Sequence, residues 1–186
     1  KGLMGLYEQA FTEKTKSSNR QEVLTQLSIF ALMKEAVGID IIAGIINVEK
    51  AVIANVVTTF SNWFNSPKSG FFTLYHDRLK VFLLQKLNQE QIIALNEKIV
   101  AFLEHTSQAK NDTEAENYAL KHLANHMRLA SELGHGYERL HTYVNQENLW
   151  RRQIQASKGY DCSQHALQQG IKESARRHHE INIIRS

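Results

Sequence analysis

The chain has 186 residues, 42% of them apolar, enough for a hydrophobic core in one or two small domains. One proline and nine glycines leave little room for a β-rich fold with many tight turns, and the single cysteine, Cys162, excludes an internal disulfide framework and fits a reducing, cytoplasmic setting. A net charge of +3 is too slight to predict an anionic partner, and the apolar runs at 39–46 and 52–57 are too short to span a bilayer.

Residues 2–16 carry Leu3, Leu6, Tyr7, Ala10 and Phe11 at helical spacing, which predicts an amphipathic helix, taken as the end of a preceding helical domain over 1–18. A second helix is predicted over 19–36, with Asn19 as its cap, Glu22 in the reciprocal position of a capping box, and Gly38 ending it. Two further helices follow, at 39–46 and 48–64. The turn cluster 65–70 then leads into an aromatic and β-branched strand of about seven residues, Phe71-Phe72-Thr73-Leu74-Tyr75-His76-Asp77, that stops at the aspartate. That strand runs into a helix with Leu79, Phe82, Leu83 and Leu87 on one face, and Asp77 stands where its N-cap belongs. Three short helices, a turn and a strand in this order suit a winged-helix domain with a minimal β-hairpin. A plain helical bundle is the other arrangement this spacing allows, and the strand favours the winged helix.

From residue 88 the pattern is helical. Asn88 with Gln91 caps a helix to about residue 105, with Leu95, Ile99 and Leu103 on its apolar face. A polar linker over 107–113 precedes a second capping box, Thr113 with Glu116, and a helix carrying Leu120, Leu123, Met127 and Ala130. Gly134-His135-Gly136 breaks it. Shorter helices are predicted at 137–144 and 147–156, and a last one from Asp161 that buries Leu167, Ile171 and Ala175. These read as antiparallel helix pairs of solenoid-like character, without the repeat of roughly 34 residues that a tetratricopeptide array requires. The predicted fold is therefore mainly α, a winged-helix domain over 19–87 followed by a helical arm over 88–186.

Few residues point to chemistry. No Gly-x-x-x-x-Gly-Lys-Ser/Thr stretch or Gly-x-Ser-x-Gly elbow is present, and Cys162 has only His165 nearby, which does not mark it as a nucleophile. His122 and His126 share a helix face at i, i+4, with His178-His179 as a conceivable third ligand. They lack a companion glutamate or cysteine cluster, and the expected role is a helix–helix contact with no metal. For DNA, the third helix offers only Lys50 and the wing only Lys68, too little to neutralise several phosphates. A DNA-binding winged-helix regulator with a helical dimerisation region is kept as the alternative function.

The stretch Leu74-Tyr75-His76-Asp77-Arg78-Leu79-x-x-Phe82-Leu83 resembles the end of the winged-helix domain in signal-transduction NTPases of the STAND class. The later stretch Tyr118-Ala119-Leu120-Lys121-His122-Leu123-Ala124-Asn125-His126-Met127 resembles the helix that follows in the same proteins, in the apoptotic protease-activating factor branch. The resemblance covers about residues 1–145, and Tyr75 departs from the methionine often found there in related receptors. It implies that the chain is an excerpt of a longer protein whose P-loop domain lies upstream. That domain would hold ADP or ATP, and His76 would sense the β-phosphate of ADP while Asp77 holds the turn. It also implies a non-catalytic fragment that contacts the upstream nucleotide-binding domain and carboxyl-terminal sensor repeats. The parent protein is expected to self-associate, without membrane or nucleic-acid partners.

Overall fold

The computed structural model describes residues 2–16, 18–108, 113–134 and 136–185, with side chains described as far as 178. The chain is mainly helical and divides into two compact units, Lys1–Lys98 and Ile99–Ser186.

The first unit contains α1 (Leu3–Lys14), α2 (Arg20–Leu32), β1 (Val37–Gly38), α3 (Ile39–Ile46), α4 (Lys50–Thr59), β2 (Phe64–Asn65), β3 (Phe71–Leu74), α5 (Asp77–Gln85) and the start of α6 (Gln89–Gln108). Its centre is α2, which is entered through Asn19, whose Oδ1 accepts from the Glu22 amide at 3.4 Å. Residues 26–32 of this helix are all buried, so its later half is surrounded by protein rather than presenting one stripe. α5 packs on it through Leu79, Phe82 and Leu83. An aromatic cluster closes one side of the core. Phe11 of α1 lies 6.2 Å from Phe60 and 6.4 Å from Phe82, ring centre to ring centre, and Phe60 lies 4.8 Å from Trp63. Such tilted and edge-on pairs add to what their buried area contributes.

The second helix is shorter than the apolar pattern predicts. It stops at Leu32, Met33 turns extended (φ −63°, ψ 145°), and Val37–Gly38 becomes β1. A two-residue strand carries no alternation that a sequence pattern could reveal; it exists because β3 offers a free edge. The helix predicted over 48–64 likewise ends at Thr59. A 3-10 turn at Ser61–Trp63 then delivers Phe64 and Asn65 to β2. The sheet is antiparallel with order β1-β3-β2, pairing Val37 with Phe72 and Phe64 with Leu74. The β2–β3 connection turns at Gly70, whose φ of +80° is one that a side chain would strain.

The second unit contains the rest of α6 with α7 (Glu114–Glu132), α8 (Tyr137–Val144), α9 (Glu147–Ser157) and α10 (Asp161–Arg185). The predicted capping residues act as expected at two further starts: Asn88 and Gln91, still in the first unit, exchange side-chain-to-amide bonds of 2.8 and 2.9 Å, and in the second Thr113 Oγ1 accepts from the Glu116 amide at 3.2 Å. Gly134 (φ +95°) follows the end of α7 and Gly136 (φ +79°) is the N-cap of α8, while His135 between them and most of the expected linker, 109–112, lie outside the described residues.

One expectation is overturned in α10. Ile171 is 67% exposed and Ala175 is also exposed, and the face turned inward is Ser163, Ala166, Gln169, Gly170 and Glu173. The reason is close approach and ion pairing rather than apolar area. A Cβ on Gly170 would stand 2.8 Å from Val144 Cγ2, so only glycine lets α10 lie this near α8. Glu173 accepts from Ser131 Oγ at 2.5 Å and from Arg176 at 2.6 Å.

Among the described residues no single helix is long and apolar enough to cross a membrane. The apolar pair α3 and α4 is bent by 120° and buries Ile41, Ile42, Ile45, Ile53 and Val56 in the first unit.

Candidate functional site

The strand-to-helix junction after β3 is held by backbone geometry. Leu74 is buried, and the Tyr75 amide donates to the Trp63 carbonyl at 3.0 Å, tying the end of the strand to the turn before β2. His76 keeps extended dihedrals (φ −137°, ψ 132°), so the chain is not yet helical there. The predicted N-cap, Asp77, is therefore one residue too late. His76 is the cap, its Nδ1 accepting from the Arg78 amide at 3.1 Å, while its carbonyl accepts from the Leu79 amide at 2.9 Å. Asp77 opens α5 instead, where a carboxylate complements the helix dipole, and pairs with Lys80 at 3.1 Å.

This cap decides what the imidazole can offer. With the Nδ1 lone pair occupied by a backbone N–H, the neutral ring carries its proton on Nε2. His76 is exposed, as are Tyr75, Asp77 and Arg78, and the Tyr75 ring stands edge-on to the imidazole at 5.7 Å. The junction thus presents one oriented N–H donor beside a guanidinium two residues on. That donor set suits a phosphate or carboxylate oxygen; it includes no nucleophile paired with a base.

The remaining candidates are placed as follows. His126 is fully buried, and its Nε2 lies 3.1 Å from the Tyr118 hydroxyl; the His122 ring centre lies 4.8 Å from that of Tyr118. These two histidines belong to the α7 packing surface. His178 is exposed, the side chain of His179 lies outside the described residues, and no group of three or more His, Cys, Asp or Glu converges among the described residues. His165 turns to α7 rather than to Cys162, with Nε2 3.0 Å from Asn125 Oδ1 and 3.2 Å from Gln169 Nε2. Burial, and then the charges of His122, Lys172 and Arg128, hold its pKa below the usual value. On α4 the exposed residues are Lys50, Ala51, Asn55 and Thr58, and Lys68 lies over the Phe71 ring at 4.3 Å.

Sequence reasoning missed a polar cleft in the second unit, where Arg139 meets Glu104 and Arg152 meets Glu116. The partners are 35 and 36 residues apart, and no local pattern links them.

No protein-family model matches the chain, and no characterised protein or solved structure matches it either.

Proposed function

We propose that the chain is the regulatory part of a STAND-type NTPase switch, with residues 19–87 as its winged-helix domain and 88–186 as its helical arm. The element order α2-β1-α3-α4-β2-β3, with β3 central in the sheet, supports the winged helix. The observation that carries the functional reading is the committed Nδ1 of His76, which leaves an exposed Nε2–H at a fixed junction. In this reading His76 donates that proton to a phosphate oxygen of ADP held by a P-loop domain upstream, and Arg78 adds positive charge beside it. The contact is made in the closed, ADP-loaded state and lost on opening, so it biases the switch by the free energy of one hydrogen bond to a charged acceptor. The fragment is a relay rather than a catalyst. Nucleotide hydrolysis belongs to the upstream domain, the arm couples to a carboxyl-terminal sensor, and the parent protein self-associates in the cytoplasm.

The test is the rate of ADP release from the parent protein. His76→Leu should speed it and favour the open state; an unchanged rate sinks the proposal. A labelled DNA duplex run with the chain at low and at moderate salt addresses the alternative, since a DNA-binding regulator would shift it in a salt-sensitive way.

A further inference from the structure

One arginine breaks the pattern of the others. Every other arginine whose side chain is described pairs with a glutamate, from Arg20 with Glu8 at 2.8 Å to Arg177 with Glu173 at 3.7 Å. Arg78, in the first turn of α5, is exposed and has no carboxylate partner among the described residues; the neighbouring Asp77 is taken by Lys80 at 3.1 Å. A guanidinium kept clear of carboxylates retains its charge and its N–H donors for an incoming anion. It stands two residues from His76, whose Nδ1 is occupied and whose Nε2–H is free.

Behind Arg78 lies Tyr7 of α1. The buried Tyr7 ring packs edge-on against Trp63 at 6.0 Å and against Phe82 at 5.6 Å. Phe82 is one helical turn beyond Arg78 on α5, and Trp63 supplies the carbonyl that holds the Tyr75 amide at 3.0 Å. α1 is itself fixed there by Phe11, fully buried, and by Glu8, which pairs with Arg20 and Lys86. The Tyr7 hydroxyl is buried and has no hydrogen-bond partner among the described residues. Burial, and then Tyr75, raise its pKa above the usual phenol value while the charge of Arg78 opposes them, so it stays neutral with Tyr75 and Arg78 as neighbours. A phenylalanine would fill the same aromatic space and leave no polar atom unmet, so packing does not account for the oxygen. A neutral oxygen can do what a carboxylate cannot, which is to accept from a guanidinium without cancelling its charge.

We infer that Tyr7 is a positioning residue for Arg78: its hydroxyl accepts from the guanidinium when an anion is bound, and so turns the remaining N–H donors to the phosphate that His76 Nε2–H contacts. This role rests on the nucleotide reading and refines it. Two donor groups in place of one favour an anion with several acceptor oxygens, as a phosphate of a nucleoside diphosphate has, and part of their support comes from α1.

The test is release of a fluorescent ADP analogue from the parent protein, compared with His76→Asn, Arg78→Gln, Tyr7→Phe, and Tyr7→Phe combined with Arg78→Gln. Arg78→Gln should speed release roughly ten- to hundredfold, as loss of a bond to a charged acceptor does. Tyr7→Phe should speed it less, roughly three- to tenfold, because it acts only through Arg78. Its melting temperature should equal or exceed that of the parent, since the ring stays and only an unmet hydroxyl goes. In the Arg78→Gln background Tyr7→Phe should change nothing further, which a packing role shared by both backgrounds would not produce. The role is overturned if His76→Asn is accelerated while Tyr7→Phe releases at the parent rate, or if the effects of Tyr7→Phe and Arg78→Gln add in full. If His76→Asn also releases at the parent rate, the nucleotide reading fails and takes this role with it.

Discussion

Replacing His76 separates its two jobs, because one substitution can remove the distal donor and keep the cap. The imidazole is exposed, so burial contributes little and its local role rests on the 3.1 Å bond from the Arg78 amide to Nδ1. Asparagine is a good N-cap and can accept the same amide proton, whereas leucine cannot. His76→Leu should therefore cost about 0.5–2 kcal/mol of stability and His76→Asn close to nothing. Both lose the Nε2–H. A hydrogen bond to a charged acceptor contributes about 1.5–3 kcal/mol, so both variants should release ADP from the parent protein roughly ten- to hundredfold faster. The assays are thermal unfolding with amide exchange at Arg78, and displacement of a fluorescent ADP analogue by stopped flow. If His76→Asn releases ADP at the parent rate while His76→Leu is merely less stable, His76 is a helix cap and nothing more.

Three further outcomes follow from the packing of the second unit. Gly170→Ala places a methyl 2.8 Å from Val144 Cγ2, so the overpacking of about 1–3 kcal/mol should outweigh the ~1 kcal/mol that alanine adds to helix propensity. Urea unfolding should then show a lower midpoint. For Glu173, burial alone would raise the carboxyl pKa, but the bonds from Arg176 and Ser131 and the charges of Arg176 and Arg177 lower it overall. Its stabilisation is present above the ordinary carboxylate pKa of about 4.3 and is lost as pH falls through the lower folded value. Glu173→Gln should thus be less stable than the parent at neutral pH by about 1–3 kcal/mol, with the gap closing towards pH 3 in acid titrations followed by circular dichroism. His165 also has a depressed folded pKa, so its contribution is full above about pH 6.5 and declines as the unfolded state takes up a proton below that. Parent minus His165→Gln should accordingly show a melting-temperature difference that shifts in the variant's favour between about pH 7.5 and 5.5. A difference that is constant with pH would show that His165 acts by packing alone.

What could be read along the chain was local in origin. Asn19 with Glu22, Asn88 with Gln91 and Thr113 with Glu116 all mark helix starts, since a cap needs only residues three apart. The helices Ile39–Ile46 and Tyr137–Val144 have the predicted bounds, because Gly38, Asn47 and Gly136 punctuate them. The sequence also placed His76 at the strand-to-helix junction. It could not say which of His76 and Asp77 caps the helix, because that depends on where the backbone first turns helical, and His76 is still extended.

Everything that required two distant segments was decided by tertiary structure. β1 exists only because β3 offers Phe71 and Phe72 as partners, and no pattern in Val37-Gly38 announces it. α10 turns Ile171 outward because Gly170 against Val144 and Glu173 against Ser131 bring it closer to its neighbours than an apolar stripe would. Arg139 reaches Glu104, and Arg152 reaches Glu116, only when α6, α7, α8 and α9 bring together residues 35 and 36 positions apart. Capping and hydrophobic period act over one helical turn and are written in neighbouring residues. Strand pairing, small-residue contacts and buried charge balance depend on which surfaces the folded chain brings together.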